Sequence, residues 1–306
     1  MPALSQLIGE HLDELLTAVV DKRELFLAQA TPAVESVFSW ERLNDVLRST
    51  ELDWAHPHVE GAAPRGLIAL ARRGAPVDPV GLFRQVQSPR RQPTYRLDPE
   101  RLYEELRNGG TILVRELDRH DRGMAAMTED LEKLLDAPVM PGAFASWGGE
   151  TGFDLHWDTT DNLVVQVAGR RRWTLWRPTL PSPVGGSDAP RPDGPADWSG
   201  TLEPGDVLYF PRGWWHCPEG LGGPALHVTF GIYRRTGLDL FRWFCDQFAP
   251  GVTDLSDVRQ AIDEHWDQAI VSRFLAAQWE TTVPNRATFD LPWAAVGESV
   301  VQFPTV

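Results

Sequence analysis

The pair His156-Trp157-Asp158 is followed, 58 residues after Asp158, by His216 in the run Pro211-Arg212-Gly213-Trp214-Trp215-His216, and this spacing restricts the fold of the chain more than any other feature. Two imidazoles and one carboxylate form the facial ligand set of a mononuclear non-haem Fe(II) centre, which leaves adjacent coordination positions open. On a strand, residues i and i+2 leave by the same face, so His156 and Asp158 can address one ion. The third ligand must then arrive from elsewhere. His216 is the natural candidate, because it follows the strand-like run Asp206-Val207-Leu208-Tyr209-Phe210-Pro211. A fold with this chemistry has to bring two distant segments to one point.

The 306 residues are enough to bury a sizeable core, in one large domain or a domain with an appendage. A formal charge of −14 argues against a nucleic-acid-binding surface, which needs clustered positive charge, but is compatible with a basic protein or peptide partner. No apolar run approaches the roughly 20 residues that span a bilayer. The first ten residues lack a basic stretch followed by a continuous apolar one, so a cytoplasmic location is expected. Cys217 and Cys245 do not make a disulfide framework and fit a reducing compartment. Cys217 adjoins His216, but a strand neighbour points to the opposite face, which argues against a ligand role.

Leu4, Leu7, Ile8, Leu12, Leu15, Leu16 and Val19 have helical spacing and predict an amphipathic helix at the start of the chain. A second helix is expected to begin after Ser39 as N-cap, with others over Pro99 to Arg107 and Met124 to Leu135. Thr111 to Arg115 reads as a short strand. Residues 138–235 are β-rich, with the clearest strands at Leu163–Val167, Trp173–Trp176, Val207–Phe210 and Leu226–Phe230. Arg177 to Gly200, rich in Pro, Gly, Ser and Asp, reads as a surface loop, either a substrate-contacting lid or a tolerated insertion. Beyond Thr236 the pattern is helical again. Phe241, Phe244, Cys245 and Phe248 form one stripe, and Val258, Ile262, Trp266, Ala269 and Ile270 a second on a longer helix. His56-Pro57-His58 resembles a metal pair but reads better as a loop, and surface positions suffice for His11, His120 and His265.

The run from His156 through Gln166 and Gly169 to Arg171 and Trp173 resembles the JmjC-type 2-oxoglutarate oxygenases, closest to the cupin-like branch that contains the ribosomal oxygenases. Leu202 to His216 is similar to that branch's strand–turn–His segment, and Leu226 to Gly231 to its last barrel strand. The resemblance implies a mainly β fold with flanking helices: a double-stranded β-helix (jelly-roll or cupin) barrel over 111–236. An N-terminal helical and mixed elaboration over 1–110 would pack on the barrel, and C-terminal helices over 237–306 would serve dimerisation. It also implies Fe(II), 2-oxoglutarate as cosubstrate and O₂, with His156, Asp158 and His216 as metal ligands. His227, the rival third imidazole, becomes a packing residue of the last strand.

Such an enzyme needs a cation for the distal carboxylate of 2-oxoglutarate, and a guanidinium matches that group bidentately. Among Arg170, Arg171 and Arg172, alternation puts Arg171 on the face of Trp173 and Leu175, which marks it as the inward one. Ser146 and Thr229 could add hydroxyl hydrogen bonds to the same carboxylate or simply be satisfied core residues. Trp147, Trp157, Trp214 and Trp215 flank the site, and one or two of them are expected to line it. The implied function is hydroxylation of an amino-acid side chain of a protein or peptide, by a homodimer with no nucleic-acid or membrane partner. Alternatives are tailoring of a small natural product and a cupin metalloprotein that does not use 2-oxoglutarate. The 70 or so residues after the barrel hardly hold both the dimerisation helices and the winged-helix module of the ribosomal oxygenases, which puts a ribosomal substrate in question.

Overall fold

A computed structural model describes residues 6–49, 67–88, 91–149, 152–180, 183, 188–248 and 255–274. The chain divides into two units, Met1–Tyr233 and Arg234–Val306.

The strands of the first unit are β1 (Leu25–Leu27), β2 (Ile68–Arg72), β3 (Ala75–Val77), β4 (Phe83–Ser88), β5 (Arg91–Leu97), β6 (Gly110–Val114), β7 (Val139–Ser146), β8 (His156–Trp157), β9 (Asp161–Ala168), β10 (Arg171–Trp176), β11 (Trp198–Leu202), β12 (Val207–Phe210), β13 (Trp215–Gly220) and β14 (Ala225–Ile232). They form an eight-stranded sheet in the order β1-β12-β9-β14-β7-β6-β2-β3, a four-stranded sheet β11-β10-β13-β8 and the hairpin β4-β5. The ladders are antiparallel throughout. The result is the jelly-roll sandwich expected from the sequence.

Strand alternation assigns the two faces of the large sheet. Val164, Leu208 and Phe210 join Trp173, Leu175, Leu202 and Trp214 in one buried cluster, which is the inside of the barrel. Leu163, Val165, Tyr209, Val228 and Phe230 point the other way, into a larger core shared with Leu15, Leu106 and Leu131 of the helical layer. With both faces covered, β9 is buried from Asp161 to Val167, so it reads as a continuous apolar run rather than an alternating one. Each fully buried Leu, Val or Phe contributes about 1.5–3 kcal/mol to this packing.

The helices begin where their caps predict. Ser39 Oγ accepts from Arg42 N at 3.2 Å, Asp98 caps Pro99–Arg107, and Asp121 caps Arg122–Leu135 while accepting from Arg42 Nε at 2.8 Å. The opening helix is shorter than its periodicity implies. Gly9 takes φ +53° and interrupts it, and the described helix runs from Leu12 to Asp21; Leu4 lies outside the described residues, as do His56 and His58.

The segment Arg177–Gly200 is not wholly loop. Trp198 to Leu202 forms β11 against β10, an edge strand that its composition hides, because only Leu202 is buried and Gly200 sits at its centre. The rest is anchored at several points: Trp215 Nε1 donates to Thr179 Oγ1 at 3.0 Å, Thr179 Oγ1 to Pro190 O at 2.6 Å, and Arg191 Nη2 to Asp154 Oδ2 at 2.7 Å.

In the second unit, Thr236 and Asp239 cap each other at the start of the helix Gly237–Phe248, with Asp239 N donating to Thr236 Oγ1 at 3.1 Å. The helix Leu255–His265 is shorter than the stripe Val258 to Ile270 predicts. It stops before Trp266 because Asp267 caps a new turn, accepting from Ala269 N at 2.8 Å. Phe244, Ala261, Ile270 and Phe274 are buried, whereas Phe241 and Trp266 are exposed.

Candidate metal centre and anion pocket

The small sheet carries the predicted chemistry on three adjacent strands. His156 of β8 pairs in register with His216 of β13, which pairs with Leu175 of β10. Asp158 follows β8 directly. His156 Nε2 lies 4.0 Å from Asp158 Oδ1, His216 Nε2 lies 3.5 Å from Asp158 Oδ2, and the imidazole centroids are 4.2 Å apart. One ligand atom from each residue falls within 4.8 Å of the others, the one such cluster among the described residues. Ligands about 2.1 Å from a common ion stand roughly 3–4 Å apart, so small side-chain adjustments close this set.

The hydrogen bonds settle which nitrogen of each ring is left free to bind a metal. His156 Nδ1 is 2.7 Å from Asp154 O, and His216 Nδ1 is 3.1 Å from Trp214 O. A carbonyl can only accept, so in each neutral ring Nδ1 carries the hydrogen and Nε2 presents its lone pair on the side of Asp158. Asn162 Nδ2 donates to Asp158 Oδ2 at 3.1 Å and orients the carboxylate. Gly213 N donates to Asp158 O at 2.8 Å, which ties the turn before His216 to the residue that follows β8. Gly213 has φ +81°, and a Cβ there would come 2.6 Å from Pro183 Cγ, so glycine is required at this turn.

His216 is buried against Phe210 and Trp173. Burial, assisted by neighbouring His156, lowers its pKa from 6.5 to about 4 against the opposing pull of Asp158 and the Trp214 carbonyl. The ring is therefore neutral at pH 7 and can ligate without releasing a proton. Between pH 6.5 and about 4 the unfolded chain binds a proton that the folded chain refuses, so this contribution to stability is complete above 6.5 and is lost as pH falls towards 4. Thermal midpoints of the apoprotein across this window should fall more steeply for wild type than for His216→Asn; equal slopes would contradict the assignment.

Arg171 opens β10 and is 1% exposed, inside the barrel on the face of Trp173 and Leu175. Its Nη2 donates to Ser146 Oγ at the end of β7, and its Nε has no partner among the described residues. Burial lowers its pKa from 12.5 to about 10, which leaves it charged at neutral pH. Arg170 and Arg172 lie outside, Arg170 beside Glu203 at 3.6 Å. Thr229 sits on β14 two residues from His227, on the same face, and is half-buried. Of the tryptophans singled out by sequence, Trp147 stacks on Trp40 at 6.0 Å and belongs to the outer core, while Trp215 is tied to the 177–197 loop. Trp173 contacts His216 directly.

Sequence reasoning missed Asp154, Asn162 and Gly213. A polar Asp161-Asn162 pair opening an apolar strand was the available signal for Asn162. Asp161 is buried, accepting from Tyr209 Oη at 2.8 Å and Arg212 N at 2.9 Å, and so braces the segment between Asp158 and β9.

The fold and site together define a class, a jelly-roll barrel in which two imidazoles and a carboxylate converge on one strand pair as a candidate metal site, with a buried cation on the inner face of a neighbouring strand. Residues 115–240 match the family described as the JmjC domain. The chain is 32% identical over 119 residues to the bifunctional lysine-specific demethylase and histidyl-hydroxylase NO66 of Drosophila willistoni, covering 37% of this chain and 16% of that protein. It is 32% identical over 133 residues to ribosomal oxygenase 2 of Rattus norvegicus, covering 41% of this chain and 28% of the relative. The chain thus matches less than a third of the length of either relative. Among solved structures, the ribosomal oxygenase YcfD of Escherichia coli in complex with cobalt and 2-oxoglutarate superposes with a TM-score of 0.55 at 19% identity, over 88% of this chain and 71% of that one. That likeness establishes the double-stranded β-helix fold.

Proposed function

We propose that this chain is an Fe(II)- and 2-oxoglutarate-dependent oxygenase that hydroxylates an amino-acid side chain of a protein or peptide. The observation that carries the proposal is Arg171, a charged guanidinium with an unpartnered Nε, buried inside the barrel that bears the His156–Asp158–His216 cluster. A buried cation without a carboxylate partner is costly and calls for an anionic ligand. When bound, iron with 2-oxoglutarate and O₂ supplies the oxidising chemistry. The chain's own groups hold, orient and shield. His156 and His216 offer fixed Nε2 lone pairs, and Asp158 offers one negative charge held by Asn162. Arg171 and Ser146 receive the distal carboxylate, with Thr229 as a further hydroxyl on the same wall. Trp173 and Phe210 exclude water from the inner side of His216.

A protein or peptide substrate is favoured over a small natural product by the histidyl-hydroxylase and ribosomal-oxygenase names of the relatives. We assign catalysis to residues 111–236, support of the barrel to 1–110, and homodimer formation to 237–306, where Phe241 and Trp266 are exposed. The free Cys217 and Cys245 fit a cytoplasmic setting. Among the described residues no helix is long and apolar enough to cross a membrane.

The test is spectroscopic. Apoprotein loaded anaerobically with Fe(II) should develop a visible charge-transfer band on addition of 2-oxoglutarate. Folded, iron-loaded protein that gives no band would overturn the proposal and leave a cupin metalloprotein that does not use this cosubstrate.

A further inference from the structure

Six buried side-chain polar atoms among the described residues have no hydrogen-bond partner, and four of them belong to Gln166, Arg171, Trp173 and His227. Native interiors satisfy nearly all such groups, so a concentration of orphans in one interior marks a place where something else supplies the bonds. These four share the inside of the barrel. Gln166 of β9 lies on the face of Val164 and pairs in register with His227 of β14, while Arg171 and Trp173 face them from β10.

His227 is held on two sides. Its ring stacks on Phe144 at 4.8 Å and 6°, and meets Trp173 edge-on at 5.4 Å and 77°. Packing explains the ring but not Nδ1, which is buried and unbonded. Burial, reinforced by the charge of Arg171, keeps the imidazole neutral, so it retains one N–H to give. A carboxylate has about four lone-pair sites. Arg171 Nε, the Ser146 hydroxyl, Trp173 Nε1 and His227 Nδ1 are four donors carried by buried side chains of the barrel, with Ser146 bonded to Arg171 and the His227 ring against Trp173.

We propose that His227 is a further cosubstrate-binding residue, donating its Nδ1–H to the distal carboxylate of a 2-oxo dicarboxylic acid alongside Arg171 and Ser146. This rests on the oxygenase reading above and adds a neutral donor to its cationic anchor.

The experiment titrates Fe(II)-loaded protein anaerobically with 2-oxoglutarate and with pyruvate, following the charge-transfer band. Pyruvate offers the same 2-oxo acid chelate without the distal carboxylate. His227→Phe keeps an aromatic ring against Phe144 and Trp173 and removes the donor. It should weaken 2-oxoglutarate by roughly ten-fold or more and leave pyruvate within about two-fold, and His227→Asn should recover part of the loss. A wild-type band with unchanged 2-oxoglutarate affinity in His227→Phe would overturn this inference alone, whereas no band in wild type would remove the oxygenase reading and this inference together. A measurement that needs no variant accompanies it. In Zn(II)-loaded wild type, a slowly exchanging Nδ1–H proton of His227 should appear by NMR only when 2-oxoglutarate is added. Its absence in the saturated complex would overturn the assignment even if His227→Phe failed to fold.

Discussion

Alanine at Asp158 is expected to lower divalent-metal affinity by at least about 100-fold while costing the apoprotein only about 1 kcal/mol. The asymmetry follows from where the carboxylate sits. Its side chain is 40% exposed, and among the described residues its side-chain partners are the Asn162 amide and the two imidazoles. Removing it therefore opens no cavity, and the stability lost is that of one hydrogen bond. The same substitution at His216 would read less cleanly, because that ring is packed against Phe210 and Trp173 and its loss would damage the core as well. Titration with Co(II), followed by its visible absorption, measures the affinity, and a thermal melt without metal measures the fold. Unchanged Co(II) affinity in Asp158→Ala would exclude the carboxylate as a ligand.

Arg171→Met should act in opposite directions on stability and on binding. Among the described residues the guanidinium is buried with a single hydrogen bond, to Ser146, and no carboxylate beside it. Replacing such a charge by an apolar chain of similar length is neutral or stabilising by about 1–4 kcal/mol, so the melting temperature of the apoprotein should hold or rise. Affinity for 2-oxoglutarate should fall by about 100-fold or more, since charge-assisted bonds to a desolvated carboxylate are lost. Calorimetric titration of the metal-loaded variant, together with its apo melt, gives both numbers. A variant that is both less stable and equally able to bind would make Arg171 a structural residue.

The parts of this site legible in sequence are those governed by strand alternation. The two-residue step from His156 to Asp158 and the inward placing of Arg171 rather than Arg172 both follow from a period of two, and the fold keeps that period over β10. The capping residue Ser39 belongs to an equally local rule. What could not be read depends on contacts between distant segments. Asp154 matters because its carbonyl meets His156, and because its carboxylate reaches Arg191, 37 residues away. Gly213 matters because Pro183 packs over it and because its amide meets Asp158. Strand β11 was hidden because an edge strand buries little, so its composition matched that of the loop before it. His227 was legible as a buried ring, but its unbonded nitrogen appears only once Phe144 and Trp173 are in place.

Strand β8 is two residues long and stands at the edge of its sheet, joined to β13 by the pairs His156–His216 and Trp157–Trp215. So brief an edge is a poor template for a second chain, and the edges of the large sheet, β1 and β3, are only three residues each. The same brevity leaves β8 with little of its own to keep it in place. An ion shared by His156 and His216 would rivet this outermost strand to its neighbour, so the proposed metal centre would double as a fastener for a seam of only two residue pairs.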